Sequence, residues 1–297
     1  MGIFNEFYKK EKPVFTGITR GVGGFGFGAA SGGGGGGLPA PGVVASGGTK
    51  VPYLDSPDGR TYHIFTTNDN FTVTSTGGED IEVLLIGGGG GGNSGGDSAG
   101  GGGGAGGLVY RHSVPISAQA YPMVIGPGGS GAANGGDTTG FSLTALGGGQ
   151  GVGRSASATS GGNGGGGSGY SSQPDAGEGS GTQPSQNPGV PNLTQYGHPG
   201  YSPGDSGSTY YQFSTGGSGN ANNDRTVNAT FPNGSTIISD APPAISTKNL
   251  SRGGYYSPPG AATPWAADDY GSGGRGTPGG NTGGKQGVVV IRYGIAP

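Results

Sequence analysis

The stretch from Ile81 to Gly107 constrains the fold of this chain more than any other. A short apolar run, IEVLLI, leads directly into two clusters of glycine separated by a few small polar residues. Glycine offers no side chain to bury and loses more backbone entropy on ordering than any other residue. Such a stretch is therefore either disordered or packed so closely against other backbone that only glycine fits. The segments that lie between the glycine clusters favour close packing.

Composition supports an ordered glycine-rich structure. Glycine accounts for 78 of the 297 residues, whereas it makes up roughly 7% of an average protein. This would ordinarily indicate disorder, but disordered chains combine high net charge with few aromatic residues. Here the net charge is −3, and there are 14 tyrosines and 10 phenylalanines. The glycines occur in runs rather than at every third position, which excludes collagen. The ordered alternative is a set of extended, three-residue-per-turn polyglycine helices, hydrogen-bonded side by side through their backbones.

Charge and residue content disfavour several classes of protein. No basic footprint for nucleic acid is present. The chain has no cysteine for disulfides or thiolate metal sites. It has no run of about 18 apolar residues, so we expect no membrane insertion. The N-terminus lacks the apolar segment of a secretion signal, and we therefore expect assembly in a cytoplasm.

The chain divides into three expected parts. Residues 1–30 are too short to bury their own aromatic side chains, three of which have helical spacing within residues 3–10. They form either an anchoring peptide that docks into a larger assembly or a disordered terminus. The candidate anchor residues are Phe4, Phe7, Tyr8, Phe15, Phe25 and Phe27. Residues 31–50 are expected to be a Gly/Pro linker, and residues 51–297 a glycine-rich β domain.

Outside the glycine runs, the patterns predict a mainly β fold with much irregular structure and almost no helix. The segment YHIFTTNDNFTVTS predicts two strands around a turn at Asn68–Asn70. Ile81–Ile86 is apolar on both faces and is expected to be buried, and Gly287–Tyr293 is expected to close the domain. Further strands are predicted at Leu108–Tyr110, His112–Ile116, Tyr121–Ile125 and Phe141–Leu146, with a hairpin around the turn Ser117–Ala120. The expected scaffold combines β-strands with polyglycine-II-like helices and long loops.

The order of five segments carries a family resemblance. They are YHIFTTNDNFTVTS, IEVLLIGGGGGG, GGGGGAGGLVYRHSVPISAQAYPMVIGPGGSG, GGDTTGFSLTALGGGQG and GGKQGVVVIRY. This arrangement resembles the glycine-rich domain of bacteriophage tail-fibre and virion proteins over about residues 60–153 and 285–294. The middle, residues 154–284, departs from that pattern and is similar in style to the adhesins of T-even-type phages, in which polyglycine helices carry variable receptor-binding loops. The N-terminal segment resembles openings of marine cyanophage virion proteins.

Two aromatic inserts, at about residues 168–215 and 220–270, interrupt the glycine clusters. Tyrosine combines contact area at low entropic cost with a hydroxyl group, and serine, glycine and asparagine adapt around it, as in antibody paratopes. The candidate receptor-binding residues are Tyr196, Tyr201, Tyr210, Tyr211, Phe213, Tyr255, Tyr256, Trp265 and Tyr270. The alternative is that these rings only cover the glycine layers.

Motifs typical of enzymes are present only in part. Residues 126–131 match the spacing G-x-G-x-x-G, but no helix is predicted after them, as a dinucleotide site would require. Residues 279–285 approach a P-loop, but Gln286 stands where a serine or threonine should hold Mg²⁺. The three histidines are far apart in the sequence, without ligand partners at a recognisable spacing. We expect no catalytic residues, no metal site and no cofactor.

The resemblance implies a non-enzymatic phage fibre or adhesin that is exposed on the virion surface. Its N-terminus would contact other virion proteins, and its loops would bind a host cell-surface glycan or outer-membrane protein. A homo-oligomer, by analogy a trimer, is implied in the same way. The alternative function is a purely structural virion component, such as a capsid fibre, decoration or tail part, without receptor binding.

Overall fold

Runs of β-branched and aromatic residues form the strands of this protein, and glycine-rich segments connect them. The computed structural model describes residues 42–56, 58–93, 100–153, 156–167, 177–200, 251, 253, 270–277 and 280–294. One structural unit begins at Val43. No helix among these described ranges is long and apolar enough to cross a membrane.

The described residues contain thirteen strands and two single-turn 3₁₀ helices. The strands are β1 (Val44–Ser46), β2 (Thr49–Val51), β3 (Thr61–Phe65), β4 (Asp69–Ser75), β5 (Ile81–Ile86), β6 (Leu108–Val114), β7 (Ala120–Met123), β8 (Thr138–Gly140), β9 (Leu143–Ala145), β10 (Leu193–Tyr196), β11 (Gly276–Thr277), β12 (Gly280–Asn281) and β13 (Val288–Tyr293). The 3₁₀ helices are Tyr53–Asp55 and Gln183–Ser185. The expectation of a mainly β fold with almost no helix is confirmed.

The largest sheet has six strands in the order β10-β6-β5-β13-β3-β2, and every neighbouring pair is antiparallel. The closing strand β13 lies between β5 and β3, where Val290 pairs with both Leu84 and Ile64. All six residues of β13 are buried. Apolar side chains cover both faces of β5 and β13 because both faces of the sheet are packed.

The main hydrophobic core lies between this sheet and a three-stranded sheet of order β1-β4-β7. Leu85 and Val289 enter the core from the large sheet, and Phe71 and Val73 enter it from the small one. The opposite face of the large sheet carries a second apolar cluster. Its buried members are Tyr62, Ile64, Leu84, Ile86, Leu108, Tyr110, Val288 and Val290.

Glycine-rich segments continue the large sheet as a packed body, which we call the glycine block. It comprises residues 87–93, 100–107, 126–136, 146–153, 159–167, 177–183, 197–200, 271–276 and 282–287. Successive N–H groups of residues 87–92 point to three different neighbouring segments and return to the same neighbour every third residue. These bonds, each 2.8–3.0 Å long, join Gly87 to Gly107, Gly88 to Gly136, Gly89 to Lys285, Gly90 to Gly104, Gly91 to Ala133 and Gly92 to Thr282. A three-residue repeat is the geometry of an extended polyproline-type helix.

The carbonyl groups of the same segment accept hydrogen bonds from further neighbours. The donors are Gly148 to Gly88, Gly129 to Gly89, Gly274 to Gly90 and Gly151 to Gly91, at 2.7–2.9 Å. Side chains are excluded from this packing because a Cβ on Gly88 or Gly90 would overlap the carbonyl of Pro127 or Gly149. The predicted polyglycine packing is therefore present among the described residues.

The block has a near end, next to the large sheet, and a far end. Strands β5 and β10 lead directly into it, and its segments lead directly into β6 and β13. At the near end, the N–H of Gly107 donates to the carbonyl of Leu146. At the far end, Asn93 donates to Gly101 and Gly101 donates to Val152. The hydrogen-bond register therefore runs away from the sheet through at least two turns of three residues.

Several strand predictions differ from the structure. The region predicted as strands Leu108–Tyr110 and His112–Ile116 is one continuous strand, β6. The hairpin predicted around Ser117–Ala120 is wrong, because β6 is already paired with β5 and β10. Strand β7 pairs with β4 instead, in the other sheet.

The start of one predicted strand and the end of the predicted linker also differ from the structure. Phe141 and Ser142, predicted to begin a strand, form the turn of the hairpin between β8 and β9. The last part of the predicted linker, residues 43–50, contains β1 and part of β2, because Val43 and Ala45 pack into the main core. Residues 31–41 of the predicted linker and the predicted anchor lie outside the described residues.

Candidate functional site

Most of the aromatic residues predicted to bind a receptor lie outside the described residues. These are Tyr201, Tyr210, Tyr211, Phe213, Tyr255, Tyr256 and Trp265. The candidate anchor residues Phe4, Phe7, Tyr8, Phe15, Phe25 and Phe27 are likewise outside them. Both assignments stay predictions.

The two described members of the receptor-binding set, Tyr196 and Tyr270, are half-buried. Both rings pack against the second apolar cluster of the large sheet. Tyr196 ends strand β10, where it pairs with Leu108, and its partial burial raises the pKa of its hydroxyl. For these two rings, the contacts match the alternative in which tyrosine covers the scaffold.

Several described residues next to residues 201–250 are held by hydrogen bonds to the glycine block. Before residue 201, the N–H of Gly200 donates to the carbonyl of Gly179 at 2.9 Å. Ser251 donates from its hydroxyl to Gly106 O at 2.5 Å and from its N–H to Tyr270 O at 2.9 Å. The chain therefore leaves and re-enters the block at positions held by hydrogen bonds.

A half-buried charged cluster joins β5, β6 and β13 to the segment just before β3. Arg292 donates to Glu82 at 2.8 Å and approaches Asp58 at 3.4 Å, while Arg60 pairs with the other oxygen of Glu82. The hydroxyl of Tyr110 donates to Glu82 at 2.5 Å. Burial opposes ionisation of Glu82, but the bonds from Tyr110 and Arg292 outweigh it and hold the pKa of Glu82 below its ordinary value of 4.5. Each carboxylate of the cluster pairs with arginine, so the cluster cross-links neighbouring strands.

His63 is completely buried in β3 and belongs to the structural framework. Its Nδ1 lies 2.7 Å from the carbonyl oxygen of Gly47, which can only accept, so Nδ1 carries the proton and donates. Its Nε2 accepts from the Tyr293 hydroxyl at 2.9 Å. Burial lowers the pKa of His63 below 6.5, and burial raises the pKa of Tyr293 to about 12. Within the described ranges, no group of three or more His, Cys, Asp or Glu residues is arranged to hold a metal ion.

Residues 126–131 and 282–285, which belong to the two glycine motifs that resemble nucleotide loops, lie in the glycine block. Gly129 donates to Gly89 O, and Gly284 donates to Gly129 O, both at 2.8 Å. These two N–H groups are therefore used by neighbouring chain segments rather than turned toward an open phosphate-sized space.

An open groove lies between β6, β7 and the β8–β9 hairpin, and sequence reasoning did not find it. Its volume is about 540 Å³, within the range of roughly 300–1,000 Å³ typical of small-molecule sites. The lining residues are Arg111, Val114, Pro115, Gln119, Ala120, Tyr121, Pro122, Thr139, Gly140, Phe141, Ser142, Leu143 and Thr144. Arg111 is the one charged residue among them.

The turn that borders this groove has an unusual backbone. Phe141 and Ser142 have φ values of 52° and 58°, the positive values that a two-residue type I′ hairpin turn requires and that Asn-Gly normally supplies. A positive φ is an outlier for a bulky residue such as phenylalanine. The Phe141 ring packs against Tyr121, with centroids 4.8 Å apart, and against Phe71 in the core. The Phe-Ser pair gave no turn signal in the sequence, which is why the groove was missed.

The comparisons with known proteins concern the glycine-rich domain. A family model described as a glycine-rich domain matches residues 66–294. The match includes strands β4 to β13 and all the segments of the glycine block. A search of the curated proteins found no match.

Proposed function

The chain belongs to this glycine-rich domain family, and we propose that it is a bacteriophage virion fibre or adhesin protein. Its N-terminal segment, residues 1–30, attaches it to other virion proteins, and its glycine-rich domain binds the host surface. The host partner is a cell-surface glycan or an outer-membrane protein. The chain acts without catalysis or cofactor and is exposed on the particle as a homo-oligomer, a trimer by analogy with phage fibres.

One observation carries this proposal: several described segments of the chain end at the far end of the glycine block. At that end Asn93 donates to Gly101 and Gly101 donates to Val152. In the sequence, Asn93 comes just before residues 94–99, and Val152 comes shortly before residues 154–155. Gly166, which comes shortly before the first aromatic insert in the sequence, donates to the carbonyl of Gly102. A body held by backbone hydrogen bonds in three-residue register tolerates changes in its connections without changes in its packing. That is the property a receptor-binding protein needs.

Adsorption of particles to host cells tests the binding role. We expect the combined change Tyr210→Ala, Tyr211→Ala and Trp265→Ala to reduce the adsorption rate at least tenfold, because tyrosine and tryptophan dominate binding hot spots. The melting temperature of the purified chain should change little. The matched control is Tyr196→Ala with Tyr270→Ala, which removes two rings that pack against the sheet. This control should lower the melting temperature and leave adsorption by correctly folded particles unchanged.

The structural alternative is favoured by the packing of Tyr196 and Tyr270 and makes the opposite prediction. If the remaining insert aromatics also cover the scaffold, the triple variant will melt at a lower temperature. Particles that carry folded triple variant will then adsorb at the wild-type rate. That outcome would rule out receptor binding by these residues and leave a structural virion component.

Deletion of residues 1–30 tests the attachment role. Because the structural unit begins at Val43, we expect the shortened chain to fold and remain soluble. It should no longer co-purify with particles. Incorporation at the wild-type stoichiometry would show that these residues are not the anchor.

A further inference from the structure

The groove between β6, β7 and the β8–β9 hairpin has the features of a ligand site that neither the family match nor the aromatic inserts account for. It is open, lies wholly within described residues, and combines one positive charge with two aromatic rings and several neutral polar groups. Ligand sites characteristically join apolar walls to a few convergent polar groups in this way.

The side chain of Arg111 has no hydrogen-bond or ion-pair partner in the described part of the chain. Its Nε is buried without a hydrogen-bond partner, and none of the ion pairs among the described residues includes it. Buried polar groups in folded proteins are nearly always satisfied, so an exception needs an explanation. The arginines of the charged cluster, Arg60 and Arg292, show the usual solution in the same sheet. Arg111 instead keeps its charge beside an open groove.

The aromatic wall of the groove is held in place before any ligand arrives. The hydroxyl oxygen of Tyr121 accepts from the Ser117 N–H at 2.7 Å, which fixes the ring beside Phe141. Phe141 occupies its position at the expense of an unfavourable φ. Backbone strain of this kind is concentrated at binding and catalytic sites. The turn thus gives up local stability and presents an aromatic ring at the groove.

We propose that this groove binds an acidic saccharide, with Arg111 pairing to the carboxylate of a uronic-acid-type sugar. The half-buried faces of Tyr121 and Phe141 contact the C–H groups of the sugar ring, and Gln119, Thr139 and Thr144 supply hydrogen bonds to its hydroxyls. One guanidinium without a second cation matches a singly charged carboxylate better than a dianionic phosphate. The proposal places recognition on residues outside the aromatic inserts and does not depend on the virion role.

Binding of defined oligosaccharides to the full-length purified chain tests the proposal, using calorimetry or ligand-observed NMR. The probes are tetragalacturonate, its methyl ester and the neutral maltotetraose. We expect tetragalacturonate to bind and the two uncharged probes to bind at least tenfold more weakly. Absence of tetragalacturonate binding to the wild-type chain, or equal binding of the methyl ester, would overturn the proposal.

Variants of Arg111 separate recognition from structure. Arg111→Met removes the charge and the unsatisfied Nε, and it should weaken tetragalacturonate binding at least tenfold without lowering the melting temperature. Arg111→Lys keeps the charge but loses the planar fork, so intermediate binding is expected. Lys50→Met is the matched control, since it removes an exposed positive charge away from the groove, and it should bind as wild type does. Wild-type binding by Arg111→Met, or a lower melting temperature in that variant, would contradict the assignment.

Discussion

The large sheet and the glycine block are packed in different ways, although the chain passes directly from one into the other. In the sheet, buried side chains such as Leu85 and Val289 fill the space between backbones. In the block, hydrogen-bonded backbones fill that space themselves, and Gly88 and Gly90 have no room for even a Cβ. The sheet is stabilised mainly by removal of apolar surface from water, whereas the block depends on mutual satisfaction of backbone N–H and C=O groups.

This difference determines how each region responds to mutation. A hydrophobic core accepts another apolar side chain of similar volume at modest cost. Residues 87–92 of the block have no side-chain rotamers to adjust, because their close contacts join main-chain atoms of two segments. Their response to an added atom must be movement of whole segments, which would break several hydrogen bonds together.

The largest effect is expected from Gly90→Ala. The new Cβ would overlap the carbonyl of Gly149 and lie 2.8 Å from Gly148 O. We expect a loss of more than about 4 kcal/mol in the free energy of unfolding, which is exceptional for a single substitution, or failure to fold. Chemical denaturation of the purified variant measures it.

Gly177→Ala is the matched control for that change. Gly177 is exposed, and its Cβ would meet only the Ser157 side chain, at ordinary contact distance. This variant should remain within about 0.5 kcal/mol of wild type. Equal stability of the two alanine variants would mean that the segments around Gly90 are not packed in solution.

A smaller loss is expected from Leu85→Ala in the sheet. Leu85 is completely buried in the main core, and truncation of a buried leucine typically costs about 2–5 kcal/mol. Leu85→Met conserves most of the volume and should cost less than about 1.5 kcal/mol. Denaturant midpoints of both variants would test whether the sheet tolerates changes of shape. A loss for Leu85→Met as large as that for Gly90→Ala would remove the contrast between the two regions.

The strands of the sheet and the packing of the glycine runs could be predicted from the sequence, but the pairing of some strands could not. Apolar periodicity identified β5 and β13, and the glycine runs indicated polyglycine packing, since both depend on local composition. The partner of β7 could not be predicted, because the choice between β4 and β6 depends on which strands β6 already pairs with. The groove was missed because its turn places Phe141 and Ser142 where turn chemistry predicts Asn-Gly. Arg111 lies between two predicted strands and carried no signal of function in the sequence, since lack of a side-chain partner is visible only in three dimensions.

The charged cluster, with its low pKa at Glu82, gives the large sheet a dependence on pH. The pKa of Glu82 is lower in the folded chain than its ordinary value of 4.5. The stabilisation from this carboxylate is therefore fully present above about pH 4.5 and is lost as the pH falls through the lower, folded-state pKa. Glu82→Gln should cost about 1.5–3 kcal/mol at neutral pH, as expected for hydrogen bonds to a charged group. Its difference from wild type should shrink as the pH is lowered.

Unfolding free energies between neutral pH and pH 3 would measure this convergence. Glu79→Gln is the control, because Glu79 is an exposed carboxylate outside the cluster. It accounts for the general effect of removing one negative charge. A difference between Glu82→Gln and wild type that stays constant with pH would show that the carboxylate is not stabilised in its ionised form.

The smallest expected effect comes from Ser142→Gly in the β8–β9 turn. In the block an added side chain should destabilise the fold, whereas here the removal of a side chain should stabilise it. Ser142 is exposed and has a φ of 58°, a conformation that costs an L-residue roughly 1–2 kcal/mol and glycine almost nothing. Glycine loses about 0.5–1 kcal/mol more backbone entropy on folding, so a net stabilisation of up to about 1 kcal/mol should remain. Ser142→Ala keeps the Cβ and the strained φ and should match wild type. If the glycine variant is no more stable than the alanine variant, the turn is unstrained in solution, and the strain cannot be attributed to presenting Phe141 at the groove.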